Sequence, residues 1–233
     1  MNYRLALVTV VACSLMTRSE TITGDAGRPL ATVLDKLQHH FLRPITYEEA
    51  PVESPWVAFS VTLDSVDSTP YGAADAVLRA YRTSGLPGNY KVVQNDGWVS
   101  VFPAQRPVMS SPVTFPVAER KGTETLQLVV DAISRASGVK ILLLTVPFWQ
   151  SDMVTFGAAG ESAGDVIESI GKVIKRPISY QCLYDAQSKT YYLNVTIVAP
   201  EPVPGTTVLR GPRIKPGANT IGPPDSPWFV KKP

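Results

Sequence analysis

The chain has 233 residues and a formal net charge of +2, with 44% hydrophobic and 18% charged residues. This length suits one or two small domains, and the composition is that of a globular chain rather than a wholly disordered one. The charges are nearly balanced, and no run of Lys and Arg forms a phosphate-binding stripe. We therefore expect no nucleic acid among its partners.

Residues 1–20 are typical of an export signal, because Arg4 precedes a short apolar run over residues 5–12. The run is too short to span a bilayer as a helix, which needs about 20 apolar residues. Residues 10–13 also resemble a bacterial lipobox with Cys13 as the lipidated residue; the alternative is ordinary secretion, with Cys13 in the removed peptide. We expect the periplasm or the inner face of the outer membrane, with secretion left open and membrane contact only through a lipid anchor.

The only cysteines are Cys13 and Cys182, and Cys182 has no partner in the chain if Cys13 is removed or acylated, so the sequence predicts no disulfide and no thiol metal site. The sequence contains no G-x-G-x-x-G, no P-loop and no metal-spaced His and Cys set, so we expect no cofactor. Cys182 alternates with Tyr180 and Tyr184 on the apolar face of a predicted strand. This position favours a buried, inert thiol.

A first unit is predicted over residues 28–103. Residues 45–47 and 56–61 favour strands, Thr69 and Pro70 open a second helix as N-cap and first-turn residue, and residues 90–102 form a hairpin. The apolar residues of the first helix recur at helical spacing: Leu30, Val33, Leu34, Leu37 and Phe41.

A second unit is predicted over residues 123–199, and it repeats this order. Gly138 ends its first helix, and residues 139–146 and 153–156 favour strands before a second helix and a Tyr-rich hairpin at residues 180–198. The apolar positions of the two helices are Leu126, Val129, Val130 and Ile133, then Val166, Ile170, Val173 and Ile174.

The repeat keeps its spacing, because Asp75 and Asp165, like Tyr90 and Tyr180, stand 90 residues apart. The predicted fold is α+β, with two small modules that each run helix-strand-strand-helix-strand-strand. In each module we expect a short sheet with two helices on one face.

Prolines mark the parts between and after the modules. Residues 104–122 are predicted as a Pro-rich linker in which residues 113–117 can add a strand to the second module. Residues 200–233 are predicted as a Pro-rich disordered tail. Trp228 and Phe229 in this tail are candidate docking residues for a partner, and the alternative is a chain end without a partner.

The stretch Gly-Glu-Ser-Ala-Gly around Ser162 matches the G-x-S-x-G pattern of serine hydrolases. A nucleophile elbow needs a strand running directly into the serine and a His after it. The predicted strand stops at Phe156, and the two histidines, His39 and His40, lie far upstream. Ser162 and Asp165 instead form an S-x-x-D capping box before an apolar helix, so we assign them to helix capping, with no catalytic residue in the chain.

Three segments resemble the short N-terminal domain shared by secretins and TonB-dependent receptors. They are TLQLVVDAISRASGVKILL, MVTFGAAGESAGDVIESI and ISYQCLYDAQSKTYYLNV, and residues 28–103 resemble it more weakly. The resemblance implies an envelope protein that builds rings or docks partners without catalysis. No channel or receptor barrel follows in this sequence, so we expect an accessory or soluble interaction role.

The expected function is therefore that of a non-enzymatic bacterial envelope protein that binds an envelope partner or another copy of itself. Its contacts are expected from the tail or from a sheet edge, for which the hairpin at residues 180–198 is the candidate. Two alternatives remain: a secreted esterase with Ser162 as nucleophile, and a periplasmic sensor of a small molecule.

Overall fold

The computed structural model describes residues 20–53, 57–63, 69–95, 97–144 and 152–198. In these residues the chain forms four α-helices and ten strands arranged in sheets. This is a mixed architecture consistent with the predicted α+β class.

The first half begins with a strand that was not predicted, and its predicted helices both form. Phe59 is the first residue of the strand predicted over 56–61, and Trp56 lies outside the described residues. The elements are β1 (Glu20–Gly24), α1 (Pro29–Phe41), β2 (Ile45–Glu48), β3 (Phe59–Leu63), α2 (Pro70–Thr83), β4 (Tyr90–Asn95) and β5 (Trp98–Pro103).

The second half has the same order of elements. A short 3-10 turn, Val108–Ser110, precedes its first strand. The elements are β6 (Pro112–Lys121), α3 (Gly122–Ser137), β7 (Lys140–Leu143), β8 (Met153–Ser162), α4 (Ala163–Val173), β9 (Ile178–Asp185) and β10 (Thr190–Ile197).

Local signals set the helix ends as predicted. Thr69 caps α2 by accepting the Gly72 N–H at 3.0 Å, and Pro70 occupies the first turn, where its missing N–H has no helical partner. Gly138 ends α3 with a φ of 69°, a left-handed conformation that glycine adopts without steric cost. These predictions are confirmed.

The strands of each half divide between two layers. In the first half β1 pairs with β3, whereas β2, β5 and β4 form a separate group, and α1 and α2 contact strands of both layers. The second half divides in the same way, with β6 paired to β8. The expected single short sheet on one side of the helices does not form, because each helix buries too wide a face; α1 buries Ala31 and Gln38 besides its predicted stripe.

The two halves share one six-stranded sheet in the order β4-β5-β2-β9-β10-β7. Strands β2 and β9 join in parallel, with Tyr47 opposite Gln181 and Glu48 opposite Cys182. The hairpin of β9 and β10 therefore lies inside the sheet, and its predicted role as a sheet edge is wrong. In the described residues the edges of this sheet are β4 and β7.

The helices of the two halves cover opposite faces of this sheet. Tyr47 points into the core with α1 and α2, whereas Cys182 points into the core with α3 and α4. Residues paired across neighbouring strands project to the same face, so Glu48, opposite Cys182, points toward the second half. For the same reason Leu183 of β9 packs in the core of the first half.

Two further expectations are corrected. The strand expected at residues 113–117 forms, but it extends over Pro112–Lys121, so much of the segment 104–122 that was predicted as a linker belongs to the folded second half. Strand β6 pairs along β8 and buries Val113 and Phe115. Val173 was placed on the apolar face of α4, yet it is 46% exposed, and Ile167 is buried instead. Ile174, one residue later, still packs against the core, so Val173 lies at the margin of the buried face of α4 and points toward solvent.

Candidate functional site

Strand β8 runs from Met153 directly to Ser162, so the expected break after Phe156 is absent. The strand continues because it bulges against β6, with register shifts that accommodate the Gly157 region. One argument against a nucleophile elbow, the missing strand, is thereby wrong. The backbone of Ser162 is nonetheless unstrained, with φ −64° and ψ 148°, whereas an elbow serine sits in a strained turn.

Ser162 is the N-cap of α4, as predicted. Its Oγ accepts the Asp165 N–H at 3.2 Å and donates to Asp165 Oδ2 at 2.6 Å. The carboxylate also stands in the first turn, where the positive end of the helix dipole favours it. Both polar groups of the pair are thus used in starting the helix.

The two histidines lie on α1, which packs in the core of the first half, whereas Ser162 starts a helix of the second. His39 Nδ1 lies 2.8 Å from the Asp35 carbonyl oxygen and 3.8 Å from its carboxylate. The His40 ring packs edge-on against Phe41. The serine and an imidazole, which a hydrolase needs together, therefore occupy different halves of the protein.

Cys182 is fully buried and lies in the core of the second half, as predicted. Burial raises the pKa of its thiol well above the ordinary value. The thiolate is the reactive form of cysteine, so this thiol is inert at neutral pH.

The residues with unusual chemistry lie at the junction of the halves, and the first is Glu48 at the end of β2. Its carboxylate accepts the backbone N–H of Val108 at 2.6 Å and of Met109 at 2.9 Å. Desolvation raises its pKa to about 7, although the two backbone hydrogen bonds act in the opposite direction. Glu48 holds the 3-10 turn of the second half against a strand of the first.

Glu49 and Arg28 form a second polar contact across the junction. Arg28 pairs with the Glu49 carboxylate and donates to the Tyr184 carbonyl oxygen at 2.9 Å, and Glu49 Oε2 accepts the Tyr184 N–H at 2.9 Å. Both side chains are largely buried. The pair therefore continues the β2–β9 contact beyond the last backbone-paired residues.

An open groove runs along the junction between α4 and the β4–β5 hairpin. Trp98 and Glu168 line it, and Ser100 Oγ donates to Glu168 Oε1 at 3.4 Å. Desolvation, and then the neighbouring Asp165, raises the pKa of Glu168 to about 7. Further along, the groove is lined by four cationic side chains: Arg43, Lys172, Lys175 and Arg176.

The sequence reasoning missed Glu48, Glu49 and Glu168. For Glu48 and Glu49 the signal was their position, as two adjacent acidic residues directly after the strand predicted at residues 45–47. If the end of a strand is buried, a charged side chain there needs a hydrogen-bond or ion-pair partner. Glu168 had no local signal, because the side chain that it contacts, Ser100, belongs to the other half.

The polar groups of the junction and of the cap are engaged in contacts within the chain. Glu48 and Glu49 are engaged with backbone N–H groups and Arg28, and Ser162 with its helix. In the described residues, no group of three or more His, Cys, Asp or Glu could hold a metal ion, and no helix is long and apolar enough to cross a membrane. Cys13, Trp228 and Phe229 lie outside the described residues, as do the tail and residues 1–19 of the predicted export signal.

No protein-family model, curated protein or solved structure matches this chain.

Proposed function

We propose that the chain is a non-enzymatic bacterial envelope protein that works by association, built from two modules of the kind found at the N-termini of secretins and TonB-dependent receptors. The support is the repeated connectivity, strand-helix-strand-strand-helix-strand-strand in each half. The pairing repeats as well: Ile45 pairs with Val99, and at the equivalent place Ile141 pairs with Tyr191.

The junction of the halves is the observation that carries the proposal. The edge strand of one module binds the edge strand of the other through backbone pairing and through the contacts of Glu48 and Glu49. Strand addition of this kind is a general mode of protein recognition, in which the backbone supplies affinity and the side chains supply specificity. The chain thus uses internally the type of contact that we propose for its function.

A sensor role is the second candidate, favoured by the groove at Trp98. Its lining combines an aromatic ring, the acids Asp165 and Glu168, and the amides of Gln94 and Asn95. A few convergent polar groups beside an apolar side chain are usual in small-molecule sites. The groove is wide open, however, and ligand pockets enclose most of their ligand, so association remains the first proposal.

Photo-crosslinking in cells tests the association. A photoreactive residue replaces Val93, which is 37% exposed on the edge strand β4, and a matched control replaces Tyr71, which is 38% exposed on α2. We expect a protein adduct in the envelope fraction from position 93 and none from position 71. Absence of any adduct at position 93, with the protein in the envelope, would contradict the proposal.

A fluorophosphonate probe tests the esterase alternative separately. We expect no labelling of the purified protein, because Ser162 is engaged as a helix cap and no imidazole is placed beside it. Labelling that disappears in Ser162→Ala would overturn the non-enzymatic role, whatever the crosslinking shows.

A further inference from the structure

The internal junction joins two different edges. The first half contributes β2 and the second half contributes β9, and these strands hold different places in the repeat. Strand β2 corresponds to β7, since each pairs in parallel with the last strand of its half, and β9 corresponds to β4, the strand before that. A contact between unlike surfaces is heterologous, and it leaves one unused surface of each kind at the two ends.

Those unused surfaces are the two edges of the six-stranded sheet. In the described residues β4 pairs only with β5, and β7 pairs only with β10. Each therefore presents a row of backbone N–H and C=O groups of the kind to which another strand can add. The two edges are the equivalents of the strands that already bind each other inside the chain.

The side chains beside the β7 edge are largely apolar and partly exposed, whereas the corresponding side chains at the internal junction are polar and buried. Thr46 and Ser100 of the first half are buried beneath the second half. The positions that correspond to them in the second half are Leu142, which is 40% exposed, and Tyr192, which is half-buried. The surface that the first half has covered is uncovered in the second.

The β4 edge likewise exposes an apolar side chain whose equivalent in the other half is buried at the internal junction. Leu183 of β9 packs in the core of the other half and is 7% exposed. Val93 occupies the corresponding place on β4 and is 37% exposed. Both edges thus carry an apolar side chain at a position that the internal junction buries.

We propose that a second copy of this chain binds here, with its β4 added in parallel beside β7, so that Leu143 lies opposite Lys91 and Leu144 opposite Val92 of the next copy. This register reproduces the pairing of Tyr47 with Gln181 and of Glu48 with Cys182. The inference rests on the proposed association role and names its partner as the chain itself.

The geometry makes this assembly open rather than a closed dimer. Strand β2 is parallel to β5 and β9, whereas β7 is parallel to β10, which is antiparallel to β9; the second module therefore runs opposite to the first. It also carries its helices on the opposite face. A third module placed by the same operation regains the first orientation, so copies follow one another along the sheet, and each added copy leaves a free β4 and a free β7.

Blocking the two ends separately tests the proposal on the full chain. Val93→Lys places a charge on the β4 edge and Leu142→Lys places one beside the β7 edge, while Val173→Lys, at an exposed position of α4, is the matched control. We expect the mass of the parent and of the control to rise with protein concentration in analytical ultracentrifugation. Each end variant alone should remain one chain.

The mixture of the two end variants is the decisive arm. One variant keeps an intact β7 edge and the other an intact β4 edge, so an equimolar mixture should form dimers and nothing larger. A parent protein that stays monomeric at every concentration would overturn the proposal. So would a dimer that survives both substitutions, since that contact would use another surface.

Disulfide crosslinking checks the register and does not depend on the stability of the Lys variants. Leu143→Cys and Lys91→Cys are made in separate chains, each with Cys13→Ser, so that the remaining cysteine is the buried Cys182. Mild oxidation should link the mixture into dimers and leave each chain alone unlinked. Absence of the link in a mixture that associates would rule out this register.

These outcomes separate the two proposals. A monomeric parent that still gives a crosslinked envelope protein from position 93 overturns only self-association. Hydrolysis that depends on Ser162 overturns the non-enzymatic role, even if the chains assemble.

Discussion

The two halves have the same order of elements, but they differ in the side chains on the sheet surface beside β2 in the first half and beside β7 in the second. In the first half that surface carries Thr46 and Ser100, which are buried by the second half. In the second half the same positions carry Leu142 and Tyr192, which remain partly exposed. Two halves with the same connectivity therefore differ at equivalent positions. The side chains are polar and buried in the first half, and largely apolar and partly exposed in the second.

The difference shows how two halves with the same order of elements take one defined arrangement. Polar groups at a buried contact are costly unless each finds its partner, so they favour the one register in which Glu48 meets the N–H groups of Val108 and Met109. An apolar surface has no such directional demand and is stabilised by whatever covers it.

The largest expected effect comes from Trp98, a residue of the first half that packs in the core of the second. Trp98→Ala should lower the free energy of unfolding by about 3–5 kcal/mol, because it leaves a cavity at the junction. Hydrogen exchange should rise in α4 as well as in β5. A rise confined to the β4–β5 hairpin would mean that the halves unfold independently; Phe102→Ala, half-buried on the same strand, is the control with a smaller cost.

Glu48→Ala should lower the free energy of unfolding by about 3 kcal/mol, since two buried backbone N–H groups lose their acceptor. Chemical denaturation measures the change. Glu53→Ala, at an exposed position, is the control and should cost no more than about 0.5 kcal/mol. Equal costs for the two variants would show that Glu48 does not hold the junction.

The buried acids should make stability fall as pH rises. The pKa values of Glu48 and Glu168 are both raised from 4.5 to about 7, so between these values the folded state keeps protons that the unfolded state has lost. Each carboxyl therefore opposes folding increasingly through this window. Between pH 5 and pH 7.5 we expect a loss of about 2 kcal/mol from Glu48 and a smaller loss from Glu168, which lines an open groove where solvent screens its charge. Urea denaturation at both pH values measures it, and Glu168→Gln should reduce the loss; stability that rises over this interval would contradict the assignment.

The smallest expected effects compare the helix caps of the two halves. Ser162→Ala and Thr69→Ala each remove a side-chain acceptor from the start of the second helix of a half. Each should lower the free energy of unfolding by about 1 kcal/mol, measured by thermal or chemical denaturation. A Ser162→Ala protein as stable as its parent would show that Asp165 alone holds the start of α4.

Most helices and strands were predictable because their signals are local. The apolar spacing of Leu30, Val33 and Leu34 and the proline at residue 70 act within one or two helical turns, and the structure follows them. Where prediction was wrong, a distant partner decided the outcome. Strand β8 continues past Phe156 because β6 pairs along it, and the hairpin of β9 and β10 lies inside the sheet because β2 covers its edge.

The residues of the candidate site also fall into those with local sequence signals and those whose partners are distant along the chain. The cap formed by Ser162 and Asp165 lies within one helical turn, so a three-residue spacing was sufficient to predict it. Glu48 and Glu168 contact groups 60 and 68 residues away along the chain, Val108 and Ser100. Desolvation at the junction raises the pKa of both carboxyls, and these hydrogen bonds act in the opposite direction. No short pattern could have connected these residues.

By itself, the sequence determined the helices, the hairpins, the cap of α4 and the burial of Cys182, because periodicity and capping chemistry depend on neighbours along the chain. Only the tertiary structure decided that the two halves share a sheet, that their helices cover opposite faces, and that Leu142 and Val93 remain uncovered at its edges. The physical reason is that a strand's pattern records which of its faces is apolar, whereas its backbone can pair with any strand that reaches it.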